Sequence, residues 1–199
     1  MKKIAIFASG AGSNALNLIE NSLHYSNITI SCLIVDTLTS RLPEICQEKY
    51  PELPVYRILP EKKLDISERK FQFESKILKT LKGHNVEWIL LAGYMRLIGS
   101  VLLDEYSNRI INIHPSLLPM YPGLNAFERA FADKSHSGIT LHLVDHGLDT
   151  GPILKQKSFP ILEGDTLSDF VQRGKQVEWE LYPEILKLLN ESADILRGE

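Results

Sequence analysis

Residues 4–14, IAIFASGAGSN, join a run of apolar residues to a glycine-containing turn near the start of the chain. Such an unbroken apolar run predicts a short strand that is buried on both faces of a sheet. The turn leads into Leu16, Ile19 and Leu23, whose spacing is typical of one helix face. This strand, turn and helix predict the first unit of an α/β fold.

The same alternation continues through the first half of the chain. Further strands are predicted at residues 28–35, 54–58, 88–92 and 110–113, and helices at residues 14–22, 41–50 and 66–81. Because strands alternate with helices, we expect parallel strands, right-handed connections and a doubly wound sheet.

The second half of the chain has a different pattern. After a proline-rich loop at residues 115–122, it predicts a short helix at 126–133 and strands at 139–143 and 153–159. Asp165 or Thr166 caps a final helix, which Pro183 kinks or divides. The apolar face of that helix is predicted to consist of Leu167, Phe170, Val171, Val177, Leu181 and Ile185.

Composition limits the classes of protein to which the chain can belong. The 199 residues, 44% hydrophobic and 24% charged, are typical of one soluble globular domain. The net charge of −3 lacks the basic surplus of nucleic-acid-binding proteins. No secretory signal or membrane-spanning run is visible, so we expect a cytoplasmic protein with Cys32 and Cys46 as buried, inert thiols.

The turn after the first predicted strand is a candidate phosphate site. Ligands of open parallel sheets bind beyond the carboxyl ends of the strands, and this turn opens a helix there. Gly10 and Gly12 let the backbone approach a ligand, and the helix N-terminus favours an anion. A tight turn capped by Ser13 or Asn14 is the alternative interpretation.

A second candidate site lies in residues 112–119, NIHPSLLP. Asn112 and His114 are two residues apart at a strand end, so their side chains project to the same side of the sheet. An amide that stabilises an oxyanion beside an imidazole that moves a proton suits acyl-type chemistry. Alternatively, the pair satisfies backbone groups at the strand end.

The loop at residues 145–151, DHGLDTG, places Asp149 where it could orient His114 or a water molecule, although Asp and Gly are also ordinary turn residues. His142 is either a support for Asp149 or a satisfied core histidine. A metal site made of His114, His142 and Asp149 is conceivable, but no His-x-x-x-His or Cys-x-x-Cys spacing favours it, and we predict none.

Four motifs occur in an order that resembles a known enzyme family. They are SGAGSN at residues 9–14, LAGYMRL at 91–97, NIHPSLLP with YPG at 112–123, and LDTGP at 148–152. From residue 3 to about 188, the chain resembles the folate-dependent phosphoribosylglycinamide formyltransferases. The resemblance implies a Rossmann-like formyltransferase fold, mostly parallel with an antiparallel C-terminal portion, in one domain over residues 1–199. Its nucleotide-phosphate half is expected at about residues 1–110 and its catalytic and folate half at about 111–190.

The resemblance also implies a reaction. The formyl group of 10-formyltetrahydrofolate, a co-substrate, passes to the amine of glycinamide ribonucleotide in purine synthesis, with no metal and no covalent enzyme intermediate. Asn112 and protonated His114 are expected to stabilise the oxyanion, and Asp149 to hold His114 and a water that carries the proton. The enzyme is expected to be a monomer or homodimer with small-molecule substrates and without nucleic-acid or membrane partners.

The same resemblance assigns binding residues. For the phosphate and ribose of the acceptor they are Ala11, Gly12, Ser13, Asn14, Ala15 and Glu178. For the folate they are Lys70 (or the adjacent Arg69), Met95, Arg96, Leu97, Ile98, Asp145, His146, Gly147 and Leu148. The chain departs from many members at Val35 and Asp36, where those members carry a Ser-Asn pair.

Related enzymes offer competing interpretations. Initiator methionyl-tRNA formyltransferase and formyltetrahydrofolate deformylase carry an extra domain, and sugar-nucleotide formyltransferases lack the Tyr-Pro-Gly continuation. The length of 199 residues and the Pro122-Gly123 pair therefore favour the purine enzyme. A non-catalytic folate or nucleotide sensor and a metal hydrolase are alternatives from other classes.

Overall fold

A mixed sheet forms the centre of the molecule in a computed structural model that describes residues 1–61, 65–134 and 137–191. Within those residues, seven strands pair in the order β3-β2-β1-β4-β5-β6-β7. The strands are β1 Lys2–Ala8, β2 Ile28–Val35, β3 Val55–Arg57, β4 Trp88–Leu91, β5 Ile110–His114, β6 Gly138–Leu143 and β7 Ile153–Ser158. Neighbours among β1 to β5 are parallel, whereas β6 and β7 pair antiparallel.

Helices connect the parallel strands and follow the last strand. They are α1 Ser13–Ser22, α2 Leu42–Lys49, α3 Ile66–Gly83, α4 Ser100–Glu105, α5 Ala126–Ala132, α6 Leu167–Leu181 and α7 Glu184–Glu191. The predicted α/β fold, mostly parallel with an antiparallel C-terminal portion, is confirmed. Its division into two halves stays a prediction, and residues 192–199 of the predicted domain lie outside the described residues.

Helix α4 was not expected from the sequence, and the structure decides between two alternatives for the last helix. Helix α4 was not predicted, because a helix of only 6 residues is too short to show a helical period. Pro183 lies between α6 and α7, so the final helix is divided rather than kinked. Thr166 is the N-cap of α6, in a reciprocal capping box with Asp169.

Apolar side chains cover both faces of the sheet. In β1, Ile4 and Ile6 belong to one buried cluster, whereas Ala5 and Phe7 belong to the other. The first cluster includes residues of α1, α6 and α7, and the second includes residues of α3 and α4. This coverage explains why the parallel strands are apolar at nearly every position.

The predicted apolar face of the last helix is correct only in part. Phe170, Val177 and Leu181 are buried, but Leu167 is 38% exposed and Val171 is only half-buried. Leu167 is the first residue of α6, before the turn that enters the aromatic cluster of Phe127, Phe159 and Phe170.

The two cysteines are buried and free, as expected from the sequence. Burial raises the pKa of the Cys32 thiol to about 12, which keeps it protonated and unreactive near neutral pH. No helix among the described residues is long and apolar enough to cross a membrane.

Replacing Gly174 by Ala should destabilise the protein, because the added Cβ would overlap Phe127 and lie 2.9 Å from Cζ of Phe159. Overpacking of this kind costs about 1–3 kcal/mol. Gly83→Ala is the matched control, since a Cβ at this other helical glycine has no atom within 4 Å. Urea unfolding followed by circular dichroism measures both, and equal stability of the two variants would contradict the packing argument.

Candidate active site

The carboxyl end of β5 carries Asn112 and His114, and β6 pairs with it so that His142 lies opposite Asn112 and Thr140 opposite His114. The loop after β6 brings Asp149 to the same place. The structure therefore brings together four predicted site residues that are distributed over 38 positions of the chain, from 112 to 149.

His114 is buried between two acceptors. Its Nδ1 lies 3.3 Å from Oδ2 of Asp149, and its Nε2 lies 2.9 Å from the carbonyl oxygen of Tyr121. Carboxylate and carbonyl oxygens only accept hydrogen bonds, so an imidazole ring protonated on both nitrogens satisfies both neighbours. His114 can therefore donate to both neighbours only when each of its ring nitrogens carries a proton.

His142 is held as a neutral ring. Its Nδ1 donates to the carbonyl of Leu143 at 2.8 Å, and its Nε2 lies 3.1 Å from Nδ2 of Asn112, which donates to it. Burial lowers the pKa of His142, and the Leu143 carbonyl and the Asp149 charge oppose this only in part. The ring is therefore neutral and orients the amide of Asn112.

His142 also lies near Asp149, with 3.6 Å between Nε2 and Oδ1, as one of its two interpretations requires, and its buried, hydrogen-bonded ring equally fits the other, a satisfied core histidine. The contact of His142 Nε2 with Asn112 is shorter than its contact with Asp149, and in it the Asn112 amide donates and the ring nitrogen accepts. His142 therefore supports Asn112 more directly than it supports Asp149.

Backbone geometry holds Asp149 in place. Its φ of 54° lies in the left-handed region, and its Oδ2 accepts a 2.8 Å hydrogen bond from the amide of Gly123. A Cβ at Gly151 would overlap the carbonyl oxygen of Leu143, so only glycine allows the loop to pass so close to β6. These constraints fix the carboxylate beside His114.

The candidate phosphate turn has the properties of an anion site. Gly12 has a φ of 77°, and a Cβ there would overlap Leu42, so the turn requires glycine. Helix α1 begins at Ser13 without a side-chain cap, which leaves the amides of its first turn without a side-chain acceptor.

Two hydroxyl groups bind carbonyl groups of this turn. Thr37 donates to the carbonyl of Ser9 at 2.6 Å, and Ser40 donates to the carbonyl of Gly10 at 2.8 Å. Acceptors that would repel a phosphate are thereby paired within the protein. The turn is left with mainly donors to offer a ligand.

Asn14 and Glu178 are in direct contact, with 3.0 Å between Nδ2 and Oε2. Burial raises the pKa of the Glu178 carboxyl, while the Asn14 hydrogen bond and the charge of Lys175 partly offset the rise. Oδ1 of Asn14 is buried and has no hydrogen-bond partner among the described residues. The side chain of Ala15 is fully buried, so Ala15 can offer a ligand only its backbone.

Apart from Lys70, the predicted folate residues lie in two exposed segments, one after β4 and one after β6. Met95 and Leu97 in the first are 69% and 68% exposed, and Leu148 in the second is 49% exposed. His146 lies 3.9 Å from Asp104 of α4, the helix that follows the first segment. Exposed apolar side chains such as these suit a flat, largely apolar ring system.

Lys70 on α3 lies beside the first folate segment. Its Cε would lie 2.5 Å from a Cβ placed on Gly99, at the end of that segment. The structure thus places Lys70 next to the folate segment, whereas its contact with a folate stays a prediction.

In the part of the chain that the structure describes, no group of three or more His, Cys, Asp or Glu residues could hold a metal ion.

Sequence reasoning missed the backbone and network partners of the site. The carbonyl of Tyr121 has no sequence signal, because every residue carries a carbonyl. Thr140 accepts from the amide of Leu118 at 3.1 Å and donates to the carbonyl of Ser116 at 2.6 Å, which holds the loop that leads to Tyr121. The position of Thr140 opposite His114 could have indicated a role in the site, but only after the register between β5 and β6 was known.

Lowering the pH should destabilise the fold through His142. Its folded pKa lies below the ordinary 6.5, so between these values the unfolded chain binds more protons than the folded chain. The free energy of unfolding therefore rises with pH through this window, and the contribution is complete above 6.5 and lost as pH falls through the folded pKa.

An NMR titration of the His142 ring tests this directly. We expect a midpoint below 6.5 in the folded protein and the ordinary value in urea-unfolded protein. A folded midpoint at or above 6.5 would contradict the interpretation of a neutral His142.

Comparison with known proteins agrees with this geometry. A family model described as "Formyl transferase" matches residues 2–186. The phosphoribosylglycinamide formyltransferase of Bacillus subtilis is 44% identical over 192 residues, which cover 95% of this chain and 95% of that protein. The trifunctional purine biosynthetic protein adenosine-3 of Drosophila pseudoobscura pseudoobscura is 35% identical over 96% of this chain, which spans 14% of that longer protein.

Solved structures give the same result. The crystal structure of phosphoribosylglycinamide formyltransferase from Bacillus halodurans superposes with a TM-score of 0.87 at 38% identity, covering 99% of this chain and 100% of that one. The match extends over both the parallel and the antiparallel parts of the sheet. The chain therefore belongs to the formyl transferase family, among the phosphoribosylglycinamide formyltransferases.

Proposed function

We propose that this chain transfers the formyl group of 10-formyltetrahydrofolate to the amine of glycinamide ribonucleotide, in purine biosynthesis. The observation that carries the proposal is the cluster of Asn112, His114 and Asp149, in which each ring nitrogen of His114 faces an acceptor. Family membership supplies the reaction class, and the cluster supplies groups that can carry it out.

The first step forms a bond between the acceptor amine and the formyl carbon. The carbonyl electrons move to the formyl oxygen, which becomes an oxyanion. In this proposal the amide N–H of Asn112 that does not face His142 donates to the oxyanion, and the charge of protonated His114, whose two N–H groups point to Asp149 and Tyr121, stabilises it through space. Burial of both rings strengthens these interactions, because water does not screen them.

The second step breaks the bond between the formyl carbon and N10 of the folate. The departing electron pair goes to N10, which takes up the proton that the attacking amine has lost. Asp149 and His114, with a bound water, carry this proton from one nitrogen to the other. Tetrahydrofolate and formylglycinamide ribonucleotide are then released.

The acceptor is proposed to bind between α1 and α6. Its phosphate takes the amides at Gly12, Ser13 and Asn14, where the helix lacks a side-chain cap. Glu178, oriented by Asn14, accepts from the ribose hydroxyl groups. The pterin ring is proposed to lie against Met95, Leu97 and Leu148. We further propose that the enzyme works in the cytoplasm as a monomer or homodimer.

His114→Ala should lower kcat by roughly 10²–10⁴-fold, the usual contribution of a general acid–base group. Asp149→Asn should also lower kcat, because it removes the charge that holds the imidazolium. The assay mixes protein, 10-formyltetrahydrofolate and glycinamide ribonucleotide without added metal and follows the release of tetrahydrofolate.

His24→Ala, which alters an exposed histidine, is the control for that assay. Unchanged transfer in the His114 and Asp149 variants would refute the proposed roles. Tetrahydrofolate release without the ribonucleotide would indicate hydrolysis instead of transfer.

Glu178→Gln should raise KM for glycinamide ribonucleotide about tenfold, equivalent to about 1.4 kcal/mol of binding. The reason is that an amide accepts ribose hydroxyl groups more weakly than a carboxylate does. KM for the formyl donor should stay unchanged, since Glu178 lies beside the phosphate turn. An increase confined to the donor KM would be inconsistent with a ribose contact.

A further inference from the structure

The segment of residues 93–99, which connects β4 to α4, has no helix or strand structure of its own. It contains Met95 and Leu97, whose side chains are mostly exposed, and it begins at Gly93 with a φ of 69°. A segment without ladder hydrogen bonds keeps one conformation only if groups from elsewhere bind it. Two buried carboxylates do so, one at the end of β2 and one on α3.

Asp36 binds the segment from the end of β2. Its side chain is 2% exposed, and its Oδ2 accepts a 2.6 Å hydrogen bond from Nε of Arg96. The Arg96 guanidinium also lies over the ring of Phe73 on α3, 5.4 Å from the ring centre. Asp36 and Phe73 thus hold the Arg96 side chain, 42% of which stays exposed.

Glu74 binds the other end of the segment from α3. The residue is 3% exposed, and its Oε1 accepts from the amide of Gly99 at 2.5 Å. Gly99 is the N-cap of α4 and has no side chain that could cap the helix, so Glu74 supplies the missing acceptor. The carboxylate of Glu74 thus binds the residue at which the segment ends and α4 begins.

Burial raises the pKa of Glu74, and its neighbours oppose that rise. The amides of Gly99, Val101 and Leu102 and the charge of Lys70 all favour the ionised carboxylate. Lys70 lies one helical turn before Glu74, packed against Gly99. Glu74 therefore also links Lys70 to the segment.

A third contact joins the segment to the phosphate turn. The amide of Met95 donates to Oγ of Ser9 at 2.9 Å. Because this contact joins the acceptor side to the donor side of the site, the two substrate-binding segments share one framework.

Burial of a charged carboxylate costs free energy that its partners must offset. Oδ1 of Asp36 is buried without a hydrogen-bond partner among the described residues. Replacing buried ion pairs by apolar groups is often neutral or stabilising. The contribution of Asp36 and Glu74 is therefore better explained by the conformation they impose on the segment.

We propose that Asp36 and Glu74 are positioning residues for the formyl-folate donor. By binding Arg96 and the amide of Gly99, they hold residues 93–99 so that the segment presents its backbone and apolar side chains to the pterin ring. The inference rests on the proposed function, since it assumes that this segment receives the donor.

The experiment compares Asp36→Asn and Glu74→Gln with the unchanged protein in steady-state formyl transfer. Each variant should raise KM for 10-formyltetrahydrofolate about tenfold, while kcat and KM for glycinamide ribonucleotide change less than about twofold. Glu74→Asp, which keeps the charge but withdraws it from Gly99, should behave like Glu74→Gln and serves if that variant does not fold.

Asp165→Asn is the matched control, because it removes a carboxylate–arginine pair with two 2.7 Å contacts to Arg173, at the start of α6. It should leave the donor KM unchanged. Hydrogen exchange at the Met95 and Gly99 amides should accelerate in the Asp36 and Glu74 variants only. Calorimetric titration with folic acid, an unreactive probe, should show the same tenfold weakening without any turnover.

The outcomes separate this inference from the proposed function. Unchanged donor KM and exchange in the variants, parallel changes in all kinetic constants, or an equal effect of Asp165→Asn would each overturn the positioning role. If the protein binds folic acid but does not formylate the ribonucleotide, the proposed acceptor is refuted. The titration of the variants with folic acid then still tests whether Asp36 and Glu74 position residues 93–99. Unchanged protein that binds no folate would overturn both.

Discussion

The antiparallel pairing of β5 with β6 is the interaction on which the site depends. It places His142 opposite Asn112 and Thr140 opposite His114, and it buries both histidine rings. Burial and fixed partners then give the two rings different surroundings: His114 faces the carboxylate of Asp149, and a neutral His142 faces the amide of Asn112. A shift of one residue in this register would turn every side chain of the pair to the wrong face.

Acceptors from other elements hold the loops at the carboxyl edge of the sheet. Asp149 binds the amide of Gly123, Thr140 binds that of Leu118, and Glu74 binds that of Gly99. In each case a loop amide that no ladder can satisfy finds a buried or half-buried oxygen. Loops held in this way can present ligand-binding groups with little conformational entropy left to lose on binding.

Much of the architecture followed from local patterns. The parallel strands were predicted because strands buried on both faces are continuously apolar, and the long helices because their apolar residues recur at helical spacing. Helix α4 was not predicted because it is short, and Leu167 was wrongly assigned to the buried face of α6. The site residues Asn112 and His114 were visible because their spacing of two at a strand end already places them on one side.

The order of residues in the chain was sufficient to predict the fold class, the phosphate turn and the chemical groups of the site, since each depends on neighbours in sequence. The hydrogen-bond partners of His114 and His142 were decided only in three dimensions, because the folded chain brings the carbonyls and the carboxylate to each ring nitrogen. The same is true of Asp36 and Glu74, whose contacts reach 60 and 25 positions along the chain, respectively. No local pattern distinguishes such a carboxylate from a solvated one, because the difference is made by burial and by the partner that tertiary packing supplies.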